Sequence, residues 1–186
     1  MKEPSTFSAE QIEALTKDAG VLKNEAEALQ HVIEEIPYDQ SPPDGHSVTQ
    51  ILRLLDYAQL NYYHPVLEEG EKNTSAIHVE EHKSFEKTFE PDTEEETDVQ
   101  QLLKKIAKHR KQIITTIKSI SNWEAIVYVD DKEYTLYQFA RKMIKFDQEQ
   151  FKKIGQLVLS FTQEKESQRE LDKLKSQRQQ TAESTS

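Results

Sequence analysis

The chain has 186 residues, 31% of them charged, with a formal net charge of −10 and no cysteine. A length of this order suits one domain able to bury a core, and the lack of cysteine excludes disulfides, thiolate metal sites and cysteine nucleophiles. The acidic balance argues against duplex binding, no apolar run approaches the roughly 18 residues of a membrane span, and the first residues lack an apolar signal core, so a cytoplasmic protein with neither nucleic-acid nor membrane partners is expected.

Four segments carry helical periodicity. The first places Ile12, Leu15, Ala19, Leu22, Ala26, Leu29, Ile33 and Ile36 at alternating spacings of three and four. The second does so with Val48, Ile51, Leu55, Ala58 and Tyr62. The third runs through Val99, Leu103, Ile106, Arg110, Ile113, Ile117 and Ile120. The fourth takes Leu136, Phe139, Met143, Phe146, Gln150, Ile154, Leu157 and Phe161. Such spacing keeps one seam facing neighbouring helices, as in a bundle. Each segment opens with a hydroxyl residue followed three positions later by Gln: Ser8/Gln11, Ser47/Gln50, Thr97/Gln100 and Thr135/Gln138. That is the capping-box pattern, in which the hydroxyl and the amide side chain each satisfy an orphan N–H of the first turn.

The connections differ in kind. Residues 38–45, with Pro42, Pro43 and Gly45, make a short rigid link. Residues 68–98 carry twelve acidic side chains against three lysines, and an irregular acidic insertion is expected over 68–96. Residues 125–136 alternate around Asp130 and Asp131, which allows a short hairpin. From 176 to 186 the chain reads as a disordered polar tail, leaving a single domain over 1–175.

Few motifs carry chemistry. The four glycines are scattered, so no phosphate-cradling loop is visible, and no nucleophile elbow is present. His78 and His82, with Glu81 before the second, match an H-x-x-E-H pattern that binds zinc when it lies on a helix. Here it falls in an acidic stretch without apolar periodicity, and a solvated loop is the preferred reading. Residues 99–123 hold Lys104, Lys105, Lys108, Arg110, Lys111 and Lys118 and no acid; the adjoining acidic insertion is the expected counter-charge. Trp123, with Tyr128 and Tyr134 nearby, reads as packing.

Gly45 to Leu55 resembles the second helix of the DinB/YfiT-like family, where a tryptophan is followed by Ser or Thr, then Glu or Gln, then a His. Thr135-Leu136 and the run from Phe146 to Gln150 resemble that family's last helix, which carries a His pair. The resemblance spans about residues 8–162. It implies an all-α, antiparallel four-helix bundle of up-down-down-up order, often a homodimer, with a divalent metal held by one His of helix two and two of helix four. Carried over by position, those ligands fall on Leu54, Phe146 and Gln150, and the tryptophan falls on His46. No His lies beyond His109, so the last helix has no imidazole in any register. The family's zinc or nickel is therefore not expected as a cofactor.

Two polar residues interrupt the stripes. Arg110 needs an acid or solvent, with Asp56 and Asp147 as the possible partners. Arg110 and Gln150, with His46, Asp56, Tyr57 and Asp147, could line a polar remnant of the family's pocket; the plainer reading is a snorkelling Arg110 and a Gln satisfied locally. The preferred function is a non-catalytic bundle that binds a small ligand of unknown identity or another protein. The alternative is a metal-dependent hydrolase or thiol-dependent transferase with a relocated site, for which His46, Asp56, Asp147 and Glu149 are available donors.

Overall fold

The computed structural model describes residues 7–72, 76–79, 98–129 and 131–183, with side chains as far as residue 178. α1 spans Ala9–Leu29. α2 spans Val48–Ala58, passes through a π-helical turn at Gln59–Tyr63 and continues as α3, His64–Glu71. α4 spans Val99–Ser119 and α5 spans Leu136–Glu183. Strands β1 (Ala76–Val79), β2 (Ile126–Val129) and β3 (Lys132–Thr135) complete the order.

Local rules explain most of the boundaries. The boxes at Ser8/Gln11, Ser47/Gln50 and Thr135/Gln138 are all made. α4 departs from the pattern: its cap is Asp98, whose carboxylate accepts from Gln101 N–H at 3.0 Å. Asp is as good a cap as Thr and adds a negative charge at the positive end of the helix. Gln100 is thereby freed to donate to the Gln30 carbonyl at 2.9 Å, tying the start of α4 to the end of α1. α1 itself stops at Leu29, short of the stripe's last members; Ile33 lies in a 3-10 turn and remains fully buried.

The π turn has a local cause as well. Pro65 has no N–H and would crowd the carbonyl four residues earlier. The helix widens just before it, with His64 N–H bonding to Gln59 O and Asn61 Nδ2 donating to Tyr57 O at 3.0 Å. Widening of this kind reorients side chains over one turn, and here Gln59 is buried in the bundle.

Named contacts set the helix directions. α1 and α5 run the same way: Phe7 stacks on Tyr137 at 4.4 Å, and Asp18 pairs with Arg141 at 2.8 Å. The α2–α3 run and α4 also travel together, since Asp56 meets His109, His64 meets Thr116, and Ser119 donates to Glu71. α1 opposes α4, with Gly20 beside Ile114 and Gln30 joined to Gln100. The α2–α3 run opposes α5, with Tyr63 against Phe146 and Gly70 against Leu136. Two of the four main seams are therefore antiparallel and two are parallel. α1 and α2 each pack on both α4 and α5, which puts consecutive helical runs on diagonals.

The all-α expectation needs correction. β2 and β3 form the hairpin allowed by the alternating residues, with Ile126 paired to Thr135 and Val129 to Lys132. Asp131 adopts φ 61° in the turn, a left-handed conformation that Asp tolerates better than most residues. β1 adds to β2 in parallel, with Ile77 opposite Val127. Parallel neighbours need a long crossover, and α4 lies within this one. The stretch expected to be an irregular insertion thus begins as helix, through Glu71, and contains a strand at 76–79. Ile77, Val127 and Val129 are buried, which is the burial that holds this small sheet against α3 and the start of α5. At the other end of the chain, α5 continues to Glu183, through the stretch read as a polar tail.

Candidate functional site

The interior of the bundle holds a charged cluster around Arg110. Arg110 follows Ile106 on the inward stripe of α4, and its side chain has no solvent exposure. Its Nε donates to Gln59 Oε1 at 2.8 Å, and Gln59 Nε2 reaches the Ile106 carbonyl at 3.5 Å. Its Nη1 lies 2.9 Å from Asp147 Oδ2 of α5. That contact is an ion pair by distance but lies off the N–H direction, and neither Nη1 nor Nη2 has a hydrogen-bond partner among the described residues. One residue from each of three helical runs therefore meets in a buried cluster: Gln59, Arg110 and Asp147.

The electrostatics follow from burial. Desolvation pushes the Asp147 carboxyl up to about 6, and the Arg110 charge and its contact only partly pull it back. A guanidinium is a charged group throughout the physiological pH range. Asp147 also reaches the floor of a cleft of about 310 Å³ between α1 and α5, where Leu22, Glu25, Ile144 and Phe151 form part of the wall.

Of Arg110's two possible partners, Asp147 is the one engaged. Asp56 pairs instead with His109, whose Nδ1 lies 2.7 Å from Asp56 Oδ1. Both side chains are mostly buried, near the rim of the α2–α4 seam. His46 and Tyr57 lie at the surface, Tyr57 with 38% exposure, away from the buried cluster. Gln59 belongs to the cluster but is off the apolar stripe of the second segment. Its only sequence signal is Pro65 six residues later, which marks a disturbed helical turn.

The three positions expected from the resemblance to match the family's ligands, Leu54, Phe146 and Gln150, are all buried. Leu54 and Phe146 are buried, and the Phe146 ring lies 6.1 Å from that of Tyr63. Gln150 is 1% exposed, and its Oε1 accepts from Lys153 Nζ at 3.2 Å. The H-x-x-E-H reading requires both imidazoles on one helical face. His78 lies on β1, where its ring stacks on Tyr128 at 4.8 Å and 9°; His82 falls outside the described residues. The helical geometry that motif needs is not available at His78.

No protein-family model matches the sequence. No curated protein is similar to it. Among solved structures, YfiT from Bacillus subtilis, reported as a probable metal-dependent hydrolase with an unusual four-helix bundle topology, matches with a TM-score of 0.58 and 14% identity. The match covers 83% of this chain and 94% of that one. The fold is that of YfiT. At this identity the likeness concerns the fold alone, so the chemistry must be judged from the residues present. On the YfiT-like scaffold, Leu54 and Phe146 offer a metal ion no lone pair, and the neutral Gln150 is a poor third ligand. Among the described residues, no three His, Asp or Glu side chains converge to hold a metal ion. The side chains at these positions do not fit a divalent metal. Among the described residues, no helix is long and apolar enough to cross a membrane.

Proposed function

We propose that this chain is a DinB/YfiT-like bundle in which the metal position has been given over to packing, and that it acts as a non-catalytic bundle binding a small ligand or another protein. The observation that carries this reading is the burial of Leu54 and Phe146 at the ligand positions, together with a buried Arg110 held by Gln59 and Asp147. Burying an apolar side chain of that size contributes roughly 1.5–3 kcal/mol, whereas a metal site needs open, deprotonated donors. A permanent guanidinium at the centre would also repel a divalent cation placed close to it.

The likeness to YfiT favours a second reading, a metal-dependent enzyme with relocated ligands. Elemental analysis of the purified full chain, before and after dialysis against a chelator, separates the two. The first reading expects no stoichiometric transition metal. One equivalent of metal that survives chelation, and is lost on changing Asp56, Asp147 or Glu149, would establish the second.

A further inference from the structure

The cleft between α1 and α5 has apolar walls. Val21 and Leu22 come from α1, and Ile144 and Phe151 from α5. At about 310 Å³ it lies at the small end of the range for small-molecule sites. Leu54, Phe146 and Gln150, the positions matched to the family's ligands, do not line it.

Of its polar side chains, Asp147 is the most buried, with 9% of its side-chain surface exposed. Oδ2 faces Arg110, and no hydrogen bond to Oδ1 is formed among the described residues. With a value of about 6, this carboxyl is ionised at pH 7.5 and can only accept. Water can supply the missing donor, but it leaves the four apolar walls wet. A small molecule that brings one donor on an apolar body satisfies both.

The surrounding charges select against an ion. Glu25 and Lys152 line the cleft, Asp18 is paired with Arg141, and Asp147 with Arg110, so each sign occurs three times. An ammonium at Asp147 would lie close to the buried guanidinium, and a carboxylate would meet Asp147 itself. A neutral donor meets neither penalty.

We infer that this cleft binds a small, uncharged, mostly apolar molecule that donates one hydrogen bond to Asp147, an aromatic N–H or O–H compound being the simplest case. The inference rests on the reading of the chain as a ligand-binding bundle. Metal content decides that reading, whereas occupancy of the cleft holds or fails by titration of the same metal-analysed chain.

The test is a titration of the full chain at pH 7.5, followed through its backbone amide NMR shifts, with three probes. Indole has one N–H donor. Benzofuran has the same shape and no donor, and phenethylammonium carries a cation. Indole should saturate with a Kd on the order of 1 mM or tighter, shifting residues around Leu22, Ile144 and Phe151. Benzofuran should bind about tenfold or more weakly, and phenethylammonium no better than indole. Val21→Trp from α1 and Gln148→Trp from α5 should each fill the cleft and weaken indole by about tenfold or more. Both positions are exposed, so the bundle's thermal unfolding should be preserved. Absence of saturable indole binding up to about 5 mM overturns the inference. So does equal binding of indole and benzofuran, tighter binding of the ammonium, or indole affinity that survives both tryptophan changes.

Discussion

The two halves of α5 are built from one continuous helix yet are held by different means. From Leu136 to Ile154 its inward residues are buried against α1 and α2, and its one buried charge, Asp147, is tied to Arg110. From 162 onward its side chains are exposed, and the local support includes bonds such as Gln168 to Asp172 at 2.9 Å. Helix propensity does not separate the halves, since both are rich in the good helix formers Lys and Gln. Packing does. A substitution in the first half is felt through volume and charge compensation, and one in the second half meets no packed neighbour among the described residues.

The comparison can be broken most sharply at Asp147. Asp147→Leu leaves the Arg110 guanidinium buried without its counter-charge, and should cost about 3–5 kcal/mol in urea unfolding near pH 7. Adding Arg110→Met to Asp147→Leu should recover most of that loss, because an apolar pair of similar volume needs no compensation. If the double variant is no better than the single one, the cluster is not acting as a pair.

The next effect is a pH dependence. The folded-state value of Asp147 is about 6, above its ordinary value of 3.8. The folded protein therefore holds this proton more tightly than the unfolded chain does. The contribution of this group to stability is full below about pH 3.8, declines as the pH rises towards 6, and is constant above that. Asp147→Asn keeps an acceptor for Arg110 but cannot titrate. Between pH 7 and pH 4 the wild type should gain up to about 3 kcal/mol relative to Asp147→Asn. An unchanging difference between the two across that range would contradict the burial assigned to this carboxyl.

Smaller effects contrast two glycines. A Cβ at Gly70 would overlap the fully buried Leu136 side chain, so Gly70→Ala should cost about 1–2 kcal/mol despite its better helix propensity. Gly155 has open space around it at the point where α5 leaves the bundle. Gly155→Ala should therefore stabilise by about 0.5–1 kcal/mol, read as a higher melting temperature. At the far end, Leu171→Glu with Leu174→Glu should change the unfolding free energy of the bundle by no more than about 0.5 kcal/mol. A larger loss would mean that the projecting half supports the core.

The helical seams and three of the four caps were legible because each depends on residues within a turn or two of one another. Ser47 and Gln50, or Leu15 and Ala19, state their relationship locally. The fourth cap was misplaced by one residue, since Thr97/Gln100 and Asp98/Gln101 both have the right spacing and only the made structure chooses between them. The pairing of β1 with β2 was not legible: Ile77 and Val127 are fifty residues apart, and four-residue strands leave little alternation to read. The placement of Arg110 on an inward stripe pointed to a buried charge, but Asp56 and Asp147 were equal candidates by sequence. Gln59 stood off its stripe and was brought inward by the π turn before Pro65.

What the residues determined alone is the content of the bundle: four amphipathic segments, three of their four caps, an interior without cysteine, and a last segment without histidine. Those follow from short-range periodicity, capping chemistry and composition, which need no knowledge of neighbours. Tertiary structure alone decided which seams run parallel, which acid neutralises Arg110, and how far α5 extends past its supports. Each of those depends on the relative placement of groups distant in the chain, where several pairings satisfy local rules equally and only collective burial of charge and apolar surface selects one.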